Sequence, residues 1–277
     1  IIRNFKSVRG AINLCLDSQA LRNDRIYGHK FHDIKTDLNG KNPKFIQTQA
    51  GEKLSEALAY PKLQNKVLKI FFHKTKISTC YYCNSQYTLT FLKDNSEAVK
   101  FQIDHIFPKK KYPYFSISMY NLVPSCANCN LNKGDKDFWI EDYCNPHLES
   151  VGDRFKFTLA RESDKTLYTS VNEVDLEDIS IAITNLEDKK VKAHDDLFDI
   201  EGVYNNFSEI AKEILALGRE YPESKRNELL EKYTDKKGNL MFKDKETIDR
   251  VFLRVYPQAT KINNRPLSKF TQDIAKF

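Results

Sequence analysis

The segments 80-CYYC-83, 104-DHIFP-108 and 121-NLVPSCANCNLNK-133 decide the fold of this chain. Two CxxC pairs, Cys80/Cys83 and Cys126/Cys129, bracket Asp104, His105 and Asn121, and Asn130 follows the last cysteine directly. Each CxxC turn offers two thiolates on one side of a cation, and two such turns complete a tetrahedral four-sulfur shell for Zn²⁺. A redox enzyme needs only one CxxC, at a helix start. With sulfur in all four positions there is no place for water, so the expected zinc is structural and clamps a stretch too small to be well cored by itself. Cys15, among Ile12, Leu14 and Leu16, and Cys144, after Tyr143, read as packed small hydrophobes, and the lone His147 makes no second metal site.

On the N-terminal side of this block, Leu63, Val67, Ile70 and Phe71 recur at spacings of three and four, which predicts an amphipathic helix leading into Cys80. TLTF (88–91) and VKFQI (99–103) alternate well enough for short strands, with Val99, Phe101 and Ile103 on one side, so Asp104 and His105 sit at a strand end. Pro108 and Pro113 forbid regular structure before a second short strand at 121–123. NLNKGDKDFWIEDY (130–143) starts a helix that Gly134 weakens. RFKFTLA (154–160) and KTLYTS (165–170) predict a two-stranded hairpin, followed by helices over 195–218, 221–233, 244–256 and 266–276, the last begun by Pro266. The expected class is α+β in three parts: an N-terminal helical region (1–77), the core (78–145) and a mostly helical C-terminal region (146–277) suited to a partner or to substrate selection.

The composition, 40% hydrophobic and 30% charged, is that of a globular protein. No apolar stretch approaches the roughly 20 residues of a membrane helix, and the opening IIRNFKSVRG lacks a signal-peptide core. The expectation is a cytoplasmic protein with no membrane partner. The net charge of +6 is uneven: residues 1–111 hold 20 basic and 9 acidic side chains, whereas 171–215 hold 4 and 12. The basic portion suits a polyanion, and the acidic stretch suits a partner face. Lys109, Lys110 and Lys111 lie beside Tyr112, Tyr114 and Phe115, a pattern for phosphate contact with either stacking or core packing by the rings.

CYYC, DHIFP, NLVP (121–124) and CANCNLNK (126–133) together resemble the HNH endonucleases, in the branch of the ββα-metal nucleases that carries a four-cysteine zinc, over about residues 78–140. The ending RPLSKFTQDI (265–274) is similar to endings of stand-alone bacterial HNH proteins. The resemblance implies a zinc-stabilised ββα-metal core and a metal-dependent DNA endonuclease that leaves 5′-phosphate and 3′-hydroxyl ends. It makes His105 the general base, Asp104 and Asn130 the ligands of a catalytic Mg²⁺ or Mn²⁺, and Asn121 the residue that orients the strand and the His105 loop. Lys109, Lys110, Lys111 and Lys133 would then contact DNA phosphates. The family often has histidine where this chain has Asn130; a carboxylate and an amide make a hard oxygen pair that suits Mg²⁺ or Mn²⁺. The resemblance also implies a bacterial defence, restriction or mobile-element setting, with an ATPase or sensor as partner, or a homodimer. The competing readings are a non-catalytic zinc-knuckle module that binds nucleic acid and a zinc-clamped protein-interaction domain. Neither needs Asp104, His105 and Asn130 together.

Overall fold

The computed structural model describes residues 58, 60, 64, 68–75, 77–94, 96–112, 115–138, 143–147 and 155–275. The expectations for residues 1–57 and for Cys15 lie outside them. The described residues fall into two compact units, one within 1–76 and 89–149, the other within 77–88 and 150–277.

In the first unit, helix α1 (Lys69–Thr75) follows Leu68. Leu68 and Phe72, one turn apart, are the buried stripe and join Tyr60, Ile103 and Leu122 in one apolar cluster, with Phe101 and Ile117 at its edge. Ile70 and Phe71, expected on the inner face, are exposed. Side chains four apart share a face, and Leu68 with Phe72 outcompetes the neighbouring pair because Phe72 meets Phe101 edge-on at 5.6 Å. Strands β1 (Leu89–Lys93) and β2 (Ser96–Lys100) form an antiparallel hairpin whose turn holds Asp94 at φ 50°. The predicted strand 99–103 is thus divided: Phe101 is a bend, and a new strand β3 (Gln102–His105) leaves β2 to pair with β4 (Leu122–Ser125). The register sets Asp104 opposite Val123 and His105 opposite Leu122.

Between β3 and β4 the chain turns at Pro108, whose carbonyl accepts from Lys111 N–H and Tyr112 N–H. Phe107, Tyr112 and Phe115 are buried against one another, so the described rings after the lysine run serve as core. Helix α2 (Ala127–Lys133) begins before Cys129, earlier than expected, because Cys126 caps it. It ends at Gly134, whose φ of 49° is a left-handed value that glycine adopts without strain. β3, β4 and α2 are the two strands and one helix of a ββα core.

In the second unit, β5 (Phe157–Ala160) pairs antiparallel with β6 (Ser180–Ile183), Phe157 opposite Ile183. The expected partner, 165–170, contributes only a single bridge at Leu167. The SIAI run of β6 has three buried residues of four, whereas Lys165, Thr166 and Leu167 are exposed, so burial selects the distant strand. The helix expected over 195–218 is three: α3 (Lys189–Phe198), α4 (Ile200–Asn205) and α5 (Ser208–Glu220). Asp188 caps α3, and Asp199 breaks the run at φ 52°. Helices α6 (Glu223–Lys232), α7 (Lys245–Leu253) and α8 (Ser268–Ile274) complete a mostly helical C-terminal region. Phe157, Tyr204 and Phe270 meet ring to ring at its centre, with centroids 4.1 to 5.5 Å apart.

The Cys80–Cys83 turn belongs to this second unit and is tied down from far along the chain. Tyr82 stacks on Phe198 at 4.6 Å, Tyr204 Oη donates to the Cys83 carbonyl at 2.7 Å, and Asn84 accepts through its carbonyl from Leu267 N–H at 2.7 Å. Ser78 N–H donates to the Asn263 carbonyl at 2.9 Å. Among the described residues no helix is long and apolar enough to cross a membrane.

Candidate active site and metal centre

The sulfurs of Cys80, Cys83, Cys126 and Cys129 all lie within 4.8 Å of one another, and three of the four residues are buried. A zinc with four sulfurs at about 2.3 Å holds them roughly 3.8 Å apart, so the donor set and spacing fit that ion. Cys129 N–H donates to Cys126 Sγ at 3.4 Å and Ser85 Oγ–H to Cys83 Sγ at 3.2 Å. Such donors favour thiolate over thiol, the form a metal requires.

Asp104, His105 and Asn130 line one cavity of about 340 Å³, with Tyr60, Lys109 and Gln102 also in its wall. β3 delivers the first two as adjacent residues at its end, and the first turn of α2 delivers the third. His105 is buried, and its Nε2 lies 2.9 Å from the Ser116 carbonyl oxygen. A carbonyl only accepts, so the neutral ring carries its hydrogen on Nε2 and its lone pair on Nδ1. Burial holds the imidazole down at about 4; the Ser116 carbonyl opposes this, and the Lys109 and Lys133 charges add to it. The ring is therefore neutral at any ordinary pH. Asp104 and Asn130 are the residues of this cavity that could hold a divalent metal, a carboxylate and an amide being hard donors of the kind that suit Mg²⁺ or Mn²⁺.

Asn121 uses its whole amide on the loop that follows His105. Its Oδ1 accepts from Phe107 N–H at 2.7 Å, and its Nδ2 donates to the Phe107 and Phe115 carbonyls at 3.0 and 3.1 Å. Its own carbonyl accepts from Ile106 N–H at 3.0 Å. Phe115 is next to Ser116, so the same amide that closes the loop also sets the carbonyl that holds the His105 ring.

Residues 80–136 match the family described as HNH endonuclease. The chain carries an HNH endonuclease domain. Over 89 residues it is 27% identical to the Septu protein PtuB of Bacillus thuringiensis, and over 40 residues 42% identical to protein ea31 of Escherichia phage lambda. The matches cover 32% of each chain for PtuB and 14% of each for ea31, so the shared part spans about a third or less of these relatives. No solved structure matches significantly.

Within the HNH domain, Lys133 stands apart from the other three lysines. Lys133, read as a phosphate contact, is 1% exposed. Its ammonium donates to the His105 carbonyl at 2.6 Å and pairs with Asp104 Oδ2 at 3.3 Å, over the Phe138 ring. The reason is position: on the last turn of the short helix α2 the side chain lies against β3, where a buried carboxylate and the strand-end carbonyl offer better partners than solvent. Burial lowers the Lys133 pKa while Asp104 opposes the shift. The other three lysines are exposed: Lys110 pairs with Asp135 at 3.2 Å, Lys111 with Asp137 at 3.4 Å, and Lys109 lies over the Tyr60 ring. Tyr60 itself escaped sequence reasoning, because it stands 20 residues before Cys80 with no motif around it.

Proposed function

We propose that this protein is a metal-dependent DNA endonuclease that hydrolyses phosphodiester bonds to 5′-phosphate and 3′-hydroxyl ends. The observation that supports it best is the convergence of Asp104, His105 and Asn130 on one cavity within an HNH domain. In this reading His105 is the general base: Nδ1 takes the proton of the water attacking phosphorus, while Ser116 holds the ring through Nε2. Its low proton affinity rises as a phosphodiester enters, because the anion offsets the Lys109 and Lys133 charges. Asp104 and Asn130 would hold Mg²⁺ or Mn²⁺, which when bound stabilises negative charge on the non-bridging and departing oxygens. Asn121 acts by positioning the loop, and Lys133 by holding the Asp104 carboxylate and the end of β3. Lys109, Lys110 and Lys111 are the phosphate contacts. Cys80, Cys83, Cys126 and Cys129 hold a structural Zn²⁺.

The same reading keeps the three-part division into 1–77, 78–145 and 146–277, with the last part as a partner or substrate-selection region in a cytoplasmic protein. In this reading the protein is an effector in bacterial antiphage defence or restriction that works with an ATPase or sensor or as a homodimer; the likeness to the Septu protein PtuB over about a third of the chain agrees with a bacterial system of that kind. Plasmid DNA incubated with the protein should be cut with Mg²⁺ or Mn²⁺ and left intact with EDTA. His105→Ala should abolish cutting with zinc content unchanged. Binding without cutting under every metal condition would instead establish a zinc-knuckle binding module.

A further inference from the structure

Between helices α6 and α7 of the second unit the chain runs out into a two-stranded arm. The two helices are already tied to each other: Arg226 pairs with Asp249 at 2.8 Å, Lys245 pairs with Glu223, and the Tyr221 and Phe252 rings meet at 4.6 Å. Packed neighbours need a connection of about 2–8 residues, yet 233–244 lie between these two. The extra length has a shape of its own. Thr234 bridges Leu240 in antiparallel register, and Met241 N–H donates to the Tyr233 carbonyl at 2.8 Å. Gly238 N–H closes the turn on the Asp235 carbonyl at 3.0 Å, and Gly238 takes the left-handed φ of 82° that a three-residue hairpin loop asks of its last position. The Asp235 carboxylate accepts from Lys237 N–H, Asn239 N–H and Asn239 Nδ2 at 2.7 to 3.0 Å, so local bonds alone set the tip.

What this arm presents is not a packing surface. Residues 231–241 are all exposed, and Tyr233, Leu240 and Met241 are each more than half open to water. Lys236 and Lys237 form the tip and Lys243 stands at the base; none of the three makes an ion pair among the described residues. Of the nearby acids, Glu223, Glu228 and Asp249 are matched by Lys245, Lys232 and Arg226, while Asp235 and Asp244 serve the turn and the cap of α7. Apolar side chains that cover no core and lysines without counter-charges are both offset by one kind of ligand, a polyanion with flat or apolar edges between its charges. A two-stranded ribbon is also narrow enough to enter the major groove of duplex DNA.

We propose that the 233–241 arm is a DNA-contacting surface outside the HNH stretch, with Lys236 and Lys237 on backbone phosphates and the cross-strand neighbours Tyr233 and Met241 against the sugar and base edges of a groove. The identity of its ligand rests on the DNA endonuclease reading. The family match, residues 80–136, gives the arm no place.

The test is anisotropy of a fluorescein-labelled duplex titrated with full-length protein in the His105→Ala background, with Ca²⁺ present, over a range of salt. Adding Lys236→Ala and Lys237→Ala should lower the slope of log K against log [salt] by about 2 and weaken binding about 10- to 100-fold near 0.1 M salt. Adding Tyr233→Ser and Met241→Ser instead should weaken binding about 3- to 10-fold with the slope unmoved, because no charge is removed. Melting temperature and zinc content should match the parent in both, since the arm covers no core. If the wild type cuts no DNA but the lysine changes still lower the slope, the endonuclease reading falls and the arm stands. If the wild type cuts and neither pair of changes moves binding beyond two-fold, the arm falls and that reading stands. A parent protein that binds no duplex overturns the proposal, as does loss of a dimer in sedimentation on Tyr233→Ser and Met241→Ser with the lysine variant binding DNA normally, which would make the arm a self-association face.

Discussion

Replacing Lys133 by Met strips the ammonium from a site whose side chain is 1% exposed and whose partner, Asp104, is 10% exposed. Two groups lose a donor. The Asp104 carboxylate is left charged in a cavity wall, and the His105 carbonyl loses a 2.6 Å hydrogen bond. Removing one partner of a buried ion pair costs about 3–5 kcal/mol, and the orphaned carbonyl adds roughly 1 kcal/mol. The hydrophobic methionine stem recovers part of this through burial against Phe138, which brings the expected loss to about 4 kcal/mol. At roughly 2–4 °C per kcal/mol for a protein of this size, the melting midpoint should drop by about 8–16 °C. The sharper assay is a double-mutant cycle in urea with Asp104→Asn. Asparagine carries no charge to strand, so the double variant should be less damaged than the sum of the singles, with a coupling of about 1–3 kcal/mol. Additive effects, or a Lys133→Met loss below about 1 kcal/mol, would refute the burial argument and return Lys133 to the DNA-facing surface.

The pH profile of kcat/KM reports the base in the free enzyme. With burial depressing the His105 pKa to about 4, the active neutral form predominates above that value, so the profile should be flat from pH 8 to about 5 and fall by half near 4; an acid limb centred at 6.5 would mean a solvated imidazole. Replacing Lys109, Lys110 and Lys111 by Ala should lower the salt dependence of DNA binding by about 1–2 in log K per log [salt] rather than the roughly 3 of three unpaired contacts, because Lys111 is already engaged by the buried Asp137. An unchanged slope would remove these lysines from the interface. Metal analysis of purified protein should find about one zinc per chain, retained after dialysis against EDTA that removes Mg²⁺, and Cys129→Ser should lose both the zinc and cooperative unfolding. Retained zinc in that variant would count against the four-sulfur shell.

The chemistry was legible in the sequence because its signals are local. CxxC spacing is set by a single tight turn, and the Asp104–His105 dipeptide at the end of an alternating run needs nothing beyond strand geometry to be placed at a strand end. The same holds for the mostly helical character of the C-terminal region, where periodicity alone sufficed although Asp199 divides the first helix. Errors arose where two segments compete for one partner. The alternation of 165–170 predicts a strand as well as that of 180–183, and only the amount of apolar surface each can bury chooses between them. In α1, both neighbouring stripes satisfy a helical repeat, and Phe101, some 30 residues on, decides which turns inward.

Residue types at fixed spacing by themselves determined the HNH domain, the four-cysteine cluster and the α+β class, since each follows from contacts within a few residues or from a recognisable order of ligands. Only the tertiary structure decided that Lys133 faces Asp104 instead of solvent, that Asn121 spends its amide on the loop around His105, and that Tyr60 stands against the imidazole with an unbonded hydroxyl. The physical reason is that a side chain's partners are chosen by burial and charge across long stretches of chain, where desolvation penalises every group left unpaired, and no spacing rule in the sequence records that competition.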